Sequence, residues 1–129
     1  MPRDAVAKPK DAADSPYYSP AVRAGGFVYV SGQGPWDSAL GRFAGDTIEE
    51  QTEITLRNLR AVLEQAGATM DDVVKIQAHL KNIDDFERFS QTYMKHFKAP
   101  RPARTTVGSD VGEILVEIDA VAYIGPPSA

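Results

Sequence analysis

The sequence contains no cysteine in its 129 residues and has only two histidines, His79 and His96. The missing cysteine excludes disulfides, thiolate nucleophiles and cysteine-based metal sites. Neither histidine stands in a metal-ligand spacing such as HExxH, and no acidic run has the EF-hand pattern. We therefore predict that the protein has no metal site.

Long apolar runs and an excess of positive charge are also missing. No stretch approaches the length of a membrane span, and the N-terminal sequence MPRDAVAKPKDAADSP lacks the apolar core of a signal peptide. The net charge of -4 disfavours a protein that mainly binds nucleic acid or an anionic membrane. These absences predict a soluble, cytoplasmic protein with neither a membrane nor a nucleic acid as partner.

The length and the ordinary composition, 43% hydrophobic and 25% charged, fit one globular domain with one core. Residues 1–15 are rich in Ala, Asp, Lys and Pro and show no apolar periodicity. Such a segment predicts a flexible N-terminal tail, so we expect the folded domain to span residues 16–129.

The periodicity of apolar residues predicts strands over 27–31, 73–80, 105–107 and 115–122, with a loop over 36–45. A first helix is expected to begin at Asp46 or Thr47 and to stop at Gly67. A second helix carries Phe86, Phe89, Tyr93 and Phe97 on one face. The order of these elements predicts an α/β domain in which two helices pack on one face of a mixed sheet.

The other face of that sheet has a mixed composition. Alternation directs Val74, Ile76, Ala78 and Leu80 of one strand toward the helices. The side chains expected on the opposite face are Lys75, Gln77, His79, Leu115, Glu117, Asp119 and Val121. Because such a face is neither core-like nor freely solvated, we expect copies of the chain to cover it in a symmetric oligomer.

Arg104 and Glu117 are the main candidates for chemistry. Pro100 and Pro102 hold the approach to Arg104 extended, and a pre-positioned guanidinium matches a small carboxylic acid with two parallel hydrogen bonds. Glu117 lies in the middle of a strand, with Asp119 on the same face, and such carboxylates can perform acid–base work or hold a water. The alternative for both is an ordinary charged residue that is solvated or salt-bridged.

A basic run lies ahead of Arg104 and consists of Lys95, His96, Lys98, Arg101 and Arg104 itself. It could bind phosphates, but favourable charge at the C-terminus of the second helix is the simpler interpretation.

Four stretches carry a resemblance to a known family. They are YSPAVRAGGFVYVSGQ at 18–33, EEQTEITLRNLRAVLEQAGATMDDVVK at 49–75, PARTTV at 102–107 and LVEIDAVA at 115–122. In this order they resemble the RidA family, also called the YjgF or enamine/imine deaminase family. The resemblance implies a chorismate-mutase-like fold, a homotrimer with sites in the clefts between subunits, and no cofactor.

The resemblance further implies hydrolysis of reactive enamines and imines, of the 2-aminoacrylate and 2-iminopropionate type, to 2-keto acids and ammonia. By position, Arg104 would bind the substrate carboxylate and Glu117 would position the attacking water. Tyr18 and Ser31 would lie near the substrate.

The chain also departs from the family pattern at three places. It has Ser90 where many members have asparagine, Thr106 where many have cysteine, and a short connection over 108–114. The side chains of Ser90 and Thr106 would face the substrate.

These departures leave the substrate open. Besides a 2-iminobutanoate/2-iminopropanoate deaminase, the chain fits a deaminase dedicated to 3-aminoacrylate or 2-aminomuconate. It also fits a trimer that binds small keto acids without turnover, and an endoribonuclease or translation inhibitor is a further alternative.

Overall fold

A computed structural model describes residues 2–126 of the chain. The helices of this part are α1 (Ile48–Gln65) and α2 (Phe86–Tyr93), with short 3-10 turns at Met70–Asp72, Ile83–Asp85 and Met94–His96. The strands are β1 (Asp4–Val6), β2 (Ala21–Ala24), β3 (Phe27–Gln33), β4 (Trp36–Asp37), β5 (Arg42–Phe43), β6 (Val73–Leu80), β7 (Ala103–Gly108) and β8 (Val116–Tyr123).

Six strands form one mixed sheet in the order β1-β2-β3-β8-β6-β7, in which β6 and β7 are parallel and the other neighbours antiparallel. The two helices pack together on one face of it, which confirms the predicted α/β domain. The predicted loop over 36–45 instead contains the small β4–β5 hairpin, where the rings of Trp36 and Phe43 meet edge to face at 5.5 Å.

Helix α1 begins and ends where the sequence predicts. Thr47 Oγ1 accepts a hydrogen bond from the Glu50 amide at 3.1 Å and caps the first turn. Gly67 follows the C-cap with a φ of +80°, a left-handed conformation that glycine adopts at little cost. One face of α1 is buried through Leu56, Leu59 and other residues, and it covers the sheet.

Strand β6 shows one departure from the predicted alternation. Its register shifts between Val73 and Lys75, and such an irregularity changes the face to which a side chain points. Val73 is therefore buried and Val74 is 46% exposed, so the prediction that Val74 faces the helices is wrong. Ile76, Ala78 and Leu80 are buried as expected.

The N-terminal segment is partly ordered by the sheet. Strand β1 pairs with β2 through Asp4↔Arg23 and Val6↔Ala21, and Val6 is buried in the core. The prediction of a flexible tail over residues 1–15 is therefore wrong for Asp4–Val6, because backbone pairing at a sheet edge needs no apolar periodicity. Met1 and residues 127–129, which belong to the predicted tail and domain, lie outside the described residues.

The sheet face away from the helices, which we call the open face, has a polar end and an aromatic end. His79, Glu117 and Asp119 lie at the polar end. The aromatic end has Phe27 and Tyr123, whose ring centroids are 5.0 Å apart and which are 40% and 45% exposed. Leu115, predicted on this face, instead packs against the core just before β8.

Candidate functional site

The Arg104 side chain lies on the helix face, at the edge formed by β7. Its register partner in β6 is Ile76, which is fully buried under the helices. The guanidinium donates a hydrogen bond from Nη2 to Ser90 Oγ at 2.9 Å. Its central carbon lies 4.7 Å from the ring centroid of Tyr93, and the rings of Phe86 and Phe89 follow at 5.3 and 5.4 Å. Helix α2 therefore fixes the cation by three aromatic contacts and one hydrogen bond.

Two hydroxyls near Arg104 are buried without a hydrogen-bond partner among the described residues. They are Tyr93 OH and Thr106 Oγ1. Burial raises the pKa of the Tyr93 phenol, and the positive charges of Arg104 and Arg101 partly oppose this shift. The phenol therefore remains neutral beside the guanidinium. Ser90 and Thr106, both predicted as site residues, are thus found on the same side of the sheet as Arg104.

The Glu117 side chain lies on the opposite, open face, against the backbone of β3. A Cβ added to Gly32 would lie 2.5 Å from Glu117 Oε1 and 2.8 Å from its Cδ. Real Cβ atoms do not approach other atoms this closely, so the carboxylate occupies space that only a glycine leaves free. The pairing of β3 with β8 is also irregular between Val30 and Gln33, next to this contact.

Glu117 lines a cavity of about 330 Å³ that Tyr18, Gln33, Trp36 and Asn58 also line. Asn58 Nδ2 donates to the carbonyls of Gly34 and Trp36 at 2.9 and 2.8 Å, and so ties helix α1 to the loop that follows β3. The segment 8–15 borders the cavity on another side. Trp36, Asn58 and Gly32 were not predicted as site residues. Each is placed at the site by contacts with residues distant in the sequence, and no local motif indicates such contacts.

Ser31 forms two hydrogen bonds with the segment that follows Tyr18. Its hydroxyl donates to the Ser19 carbonyl at 2.6 Å, and its amide donates to the Pro20 carbonyl at 2.9 Å. The neighbouring Tyr18 side chain is 61% exposed at the cavity rim. Tyr18 and Ser31, both predicted near the substrate, thus lie on the same side of the molecule as Glu117.

Arg104 and Glu117 do not face a common cleft within one chain. Strand β6 separates their strands, and the register pairs Arg104 with the buried Ile76 but Glu117 with His79 on the open face. The predicted site is therefore divided into two halves. One half contains Arg104, Ser90 and Thr106, and the other contains Glu117, Tyr18 and Ser31.

A histidine and a second carboxylate stand beside Glu117 on the open face. His79 Nε2 lies 3.7 Å from Asp119 Oδ2. Burial raises the pKa of the Asp119 carboxyl, and its interaction with His79 partly lowers it again. Within residues 2–126 no three His, Asp or Glu side chains form a group that could hold a metal ion.

Comparison with known proteins identifies the family. A family model described as endoribonuclease L-PSP matches residues 9–124, which is nearly the whole chain. The chain belongs to this family, the YjgF/RidA family. The resemblance inferred from the four sequence stretches is thereby confirmed.

Relatives in the YjgF/RidA family carry several different names. A RutC family protein from Saccharolobus solfataricus is 44% identical over 107 residues, covering 81% of this chain and 85% of the relative. A protein named 2-iminobutanoate/2-iminopropanoate deaminase from Dermatophagoides farinae is 35% identical over 111 residues, covering 83% of this chain and 85% of that one.

A solved structure of a Rid family protein from Yersinia pestis has the same fold as this chain. It is 33% identical, covers 95% of this chain and 99% of its own, and superposes with a TM-score of 0.88. The small α/β domain with a mixed sheet and two helices is thus a family property. No helix within residues 2–126 is long and apolar enough to cross a bilayer.

Proposed function

We propose that this protein hydrolyses 2-imino acids and their enamine tautomers to 2-keto acids and ammonia. The observation that carries the proposal is the pair of half-sites, a restrained guanidinium beside Ser90 and a carboxylate at the rim of a cavity. The relative from Dermatophagoides farinae whose name is an imine deaminase supports the same chemistry. Hydrolysis of this kind needs a carboxylate anchor and an oriented water, and it requires no cofactor.

The two half-sites require a second copy of the chain to meet. Because Arg104 and Glu117 lie on opposite faces of one sheet, a complete site combines Arg104 of one copy with Glu117 of a neighbouring copy. The exposed aromatic residues on the open face, Phe27, Tyr29 and Tyr123, supply apolar surface for that contact. We propose a cyclic homotrimer, in which three equivalent clefts form between neighbours.

The reaction follows from these roles. An enamine first takes a proton from solvent on its terminal carbon and loses one from its nitrogen, which gives the electrophilic imine. The carboxylate of the imine binds Arg104 by two parallel hydrogen bonds. Glu117 accepts a proton from a water as the water oxygen bonds to the imine carbon. The carboxyl then returns that proton to the nitrogen, which gives a tetrahedral carbinolamine. As the carbon–nitrogen bond breaks, the proton of the new hydroxyl passes through Glu117 to the nitrogen, and ammonia and the 2-keto acid leave. No side chain forms a bond to the substrate.

The preferred substrates in this proposal are 2-aminoacrylate and its tautomer 2-iminopropionate. A deaminase dedicated to 3-aminoacrylate or 2-aminomuconate would use the same pair of residues and differ in the groups that surround them. A trimer that only binds keto acids would need Arg104 but not Glu117.

The endoribonuclease in the family description receives less support from the basic run. His96 Nε2 lies 2.9 Å from Glu53, Lys98 lies 3.9 Å from Asp71, and Arg104 points to Ser90. Acidic and polar partners thus interrupt the run, whereas binding of a polyanion favours a continuous row of free cations.

The first experiment generates 2-aminoacrylate with a serine dehydratase and follows the keto acid while semicarbazide traps the imine that escapes. We expect acceleration by the wild type and a loss of at least about 100-fold in both Arg104→Ala and Glu117→Gln. Binding of keto acids without acceleration would contradict the enzymatic proposal and favour the binding protein.

The division of the site is tested by mixing the two inactive variants. In a cyclic trimer assembled from equal amounts of Arg104→Ala and Glu117→Gln, about a quarter of the clefts combine an intact Arg104 with an intact Glu117. We therefore expect co-expressed variants to regain about a quarter of the wild-type rate, because each site draws on two copies. If no activity returns while mixed trimers are present, the shared site is wrong.

A further inference from the structure

Gln51 of helix α1 is a buried amide that joins two segments distant in the sequence. The residue is only 8% exposed. Its Nε2 donates a hydrogen bond to the Gly45 carbonyl at 3.0 Å, and its Oε1 accepts one from the Leu115 amide at 2.8 Å. Because a buried amide needs such partners, these two bonds hold the side chain and both backbone segments together.

Both segments border the cavity at Glu117. Gly45 follows the β4–β5 hairpin, and Trp36 of this hairpin lines the cavity. Leu115 directly follows Ile114, which also lines the cavity, and directly precedes β8. One amide therefore connects two walls of the candidate site.

A second amide lies on the same face of α1. Asn58 stands about two helical turns after Gln51, and its Nδ2 holds the carbonyls of Gly34 and Trp36. Helix α1 thus fixes the loop after β3, the end of the hairpin and the start of β8 through the side chains of two residues.

Glu117 lies near the end of β8 that Gln51 holds. On one side of β8, strand β6 pairs with Glu117 itself. On the other side, within residues 2–126, the ladder with β3 ends at Gln33↔Ile118 and does not reach Glu117. The bond from the Leu115 amide to Gln51 therefore joins β6 in fixing this end of the strand.

We propose that Gln51 is a positioning residue for Glu117. This inference rests on the proposed function, in which the Glu117 carboxylate must reach a water at the imine carbon. Gln51 fixes the backbone from which the Glu117 side chain extends, whereas Gly32 leaves the space that the carboxylate occupies. Because β6 holds the same end of β8, the loss of Gln51 should displace the carboxylate slightly and lower the rate in part.

The first test compares Gln51→Met with the wild type in the imine-hydrolysis assay. Methionine fills a similar volume and removes both hydrogen bonds. We expect kcat to fall about five-fold while KM changes little, because the carboxylate anchor Arg104 lies on the opposite face of the sheet. Gln65→Met is the matched control, since Gln65 is an exposed residue at the end of the same helix and should leave both constants unchanged.

A second pair of variants tests the same contact with the amide of Gln51 retained. A Cβ added in Gly45→Ala would lie 3.0 Å from Gln51 Cγ and press on it, so we expect a fall of about three-fold in kcat. Gly41→Ala is the control, because Gly41 also has a positive φ but its added Cβ would have no neighbour within 4 Å. This pair decides the question if Gln51→Met does not fold.

A measurement without turnover separates the inference from the proposed function. In protein labelled with ¹³C at glutamate carboxyls, the Glu117 resonance is assigned by its absence in Glu117→Gln. We expect this resonance to move in Gln51→Met and Gly45→Ala but not in their controls.

Three results would overturn the inference. They are an unchanged kcat in the folded variants, an equal loss of kcat when Gln51→Met is placed in the Glu117→Gln background, and a Glu117 resonance that does not move. If the wild type hydrolyses no imine, the proposed function fails, and the Glu117 resonance alone then decides whether Gln51 positions this carboxylate.

Discussion

The Arg104 side chain is enclosed by packed neighbours, whereas the Glu117 carboxylate lies against backbone and open space. Three aromatic rings and the Ser90 hydroxyl surround the guanidinium, all supplied by helix α2. Glu117 rests on Gly32 and borders a cavity. The guanidinium is thus held by side-chain packing, and the carboxylate occupies the space that Gly32 leaves by having no side chain.

This difference predicts how each half responds to substitution. Packing distributes the support for Arg104 over several contacts, so the loss of any one contact should weaken substrate binding only in part. The place of Glu117 depends on one glycine, so a single methyl group there should displace the carboxylate as a whole.

Among changes to the residues that support Arg104 and Glu117, the largest effect is expected for Gly32→Ala. The added Cβ would lie 2.5 Å from Glu117 Oε1, so the carboxylate must move. Because a shift of about 1 Å can cost about 100-fold, we expect kcat to fall by about 10- to 100-fold while KM changes little. The steady-state kinetics of imine hydrolysis check this.

Gly34→Ala is the control for that variant, since the one close contact of its added Cβ is the flexible Ile114 Cδ1 at 3.0 Å, and Phe43 Cε1 and the Val116 carbonyl lie at ordinary distances of 3.6 and 4.0 Å. In a Glu117→Gln background, Gly32→Ala should have no further effect if it acts through the carboxylate. An additional loss in that background would mean that Gly32 has a different role.

An intermediate effect is expected for Ser90→Ala. This change removes the hydrogen bond to Arg104 but leaves the three rings in place. We expect a loss of about 1 kcal/mol, seen as a rise of about five-fold in KM with kcat nearly unchanged. Ser90→Asn retains an acceptor and should restore KM. A fall in kcat as large as that of Gly32→Ala would contradict the idea that several contacts hold Arg104 whereas one glycine places Glu117.

The smallest effect concerns Asp119 and depends on pH. Because burial raises the pKa of this carboxyl above its usual 3.8, the folded state binds the proton more tightly than the unfolded state. The carboxyl therefore costs folding free energy that is absent below pH 3.8 and grows as the pH rises through the raised pKa. Solvent screening keeps this cost small, since about a third of the side chain is exposed.

Thermal unfolding of Asp119→Asn checks this expectation. The variant should be slightly more stable than the wild type at neutral pH, and the difference should disappear in acid. Asp84→Asn removes one exposed negative charge and serves as the control. A wild type that is more stable than Asp119→Asn at neutral pH would mean that the contact with His79 outweighs the burial.

Much of the fold could be predicted because its signals are local. Thr47 and Gly67 mark the ends of α1 by capping chemistry, and the alternation in β8 directs Val116, Ile118 and Ala120 to the core. The predictions were wrong at places where the local conformation depends on residues that are distant in the sequence. Val74 turns outward at a register shift against β8, and Asp4–Val6 becomes a strand because β2 offers it an edge.

The candidate residues could be selected from sequence, but their arrangement could not. Arg104 and Glu117 follow from their positions on predicted strands and from the family resemblance, and Tyr18 and Ser31 follow from the resemblance alone. The division into two half-sites depends on which face each side chain takes, and that follows from the pairing of β6 with β7 and β8. Gly32, Trp36 and Asn58 carry no local signal, since their roles consist of contacts with residues 22 to 85 positions away.

The sequence by itself determined the family, the two helices, the main strands of the sheet and the chemical types of the candidate residues, because capping, periodicity and motif order are properties of neighbouring positions. Only the tertiary structure decided that Arg104 packs beneath α2 and that Glu117 lies over Gly32 on the other face. The physical reason is that side chains alternate across a strand, so a site is assembled or divided by strand register and by the glycines that leave room.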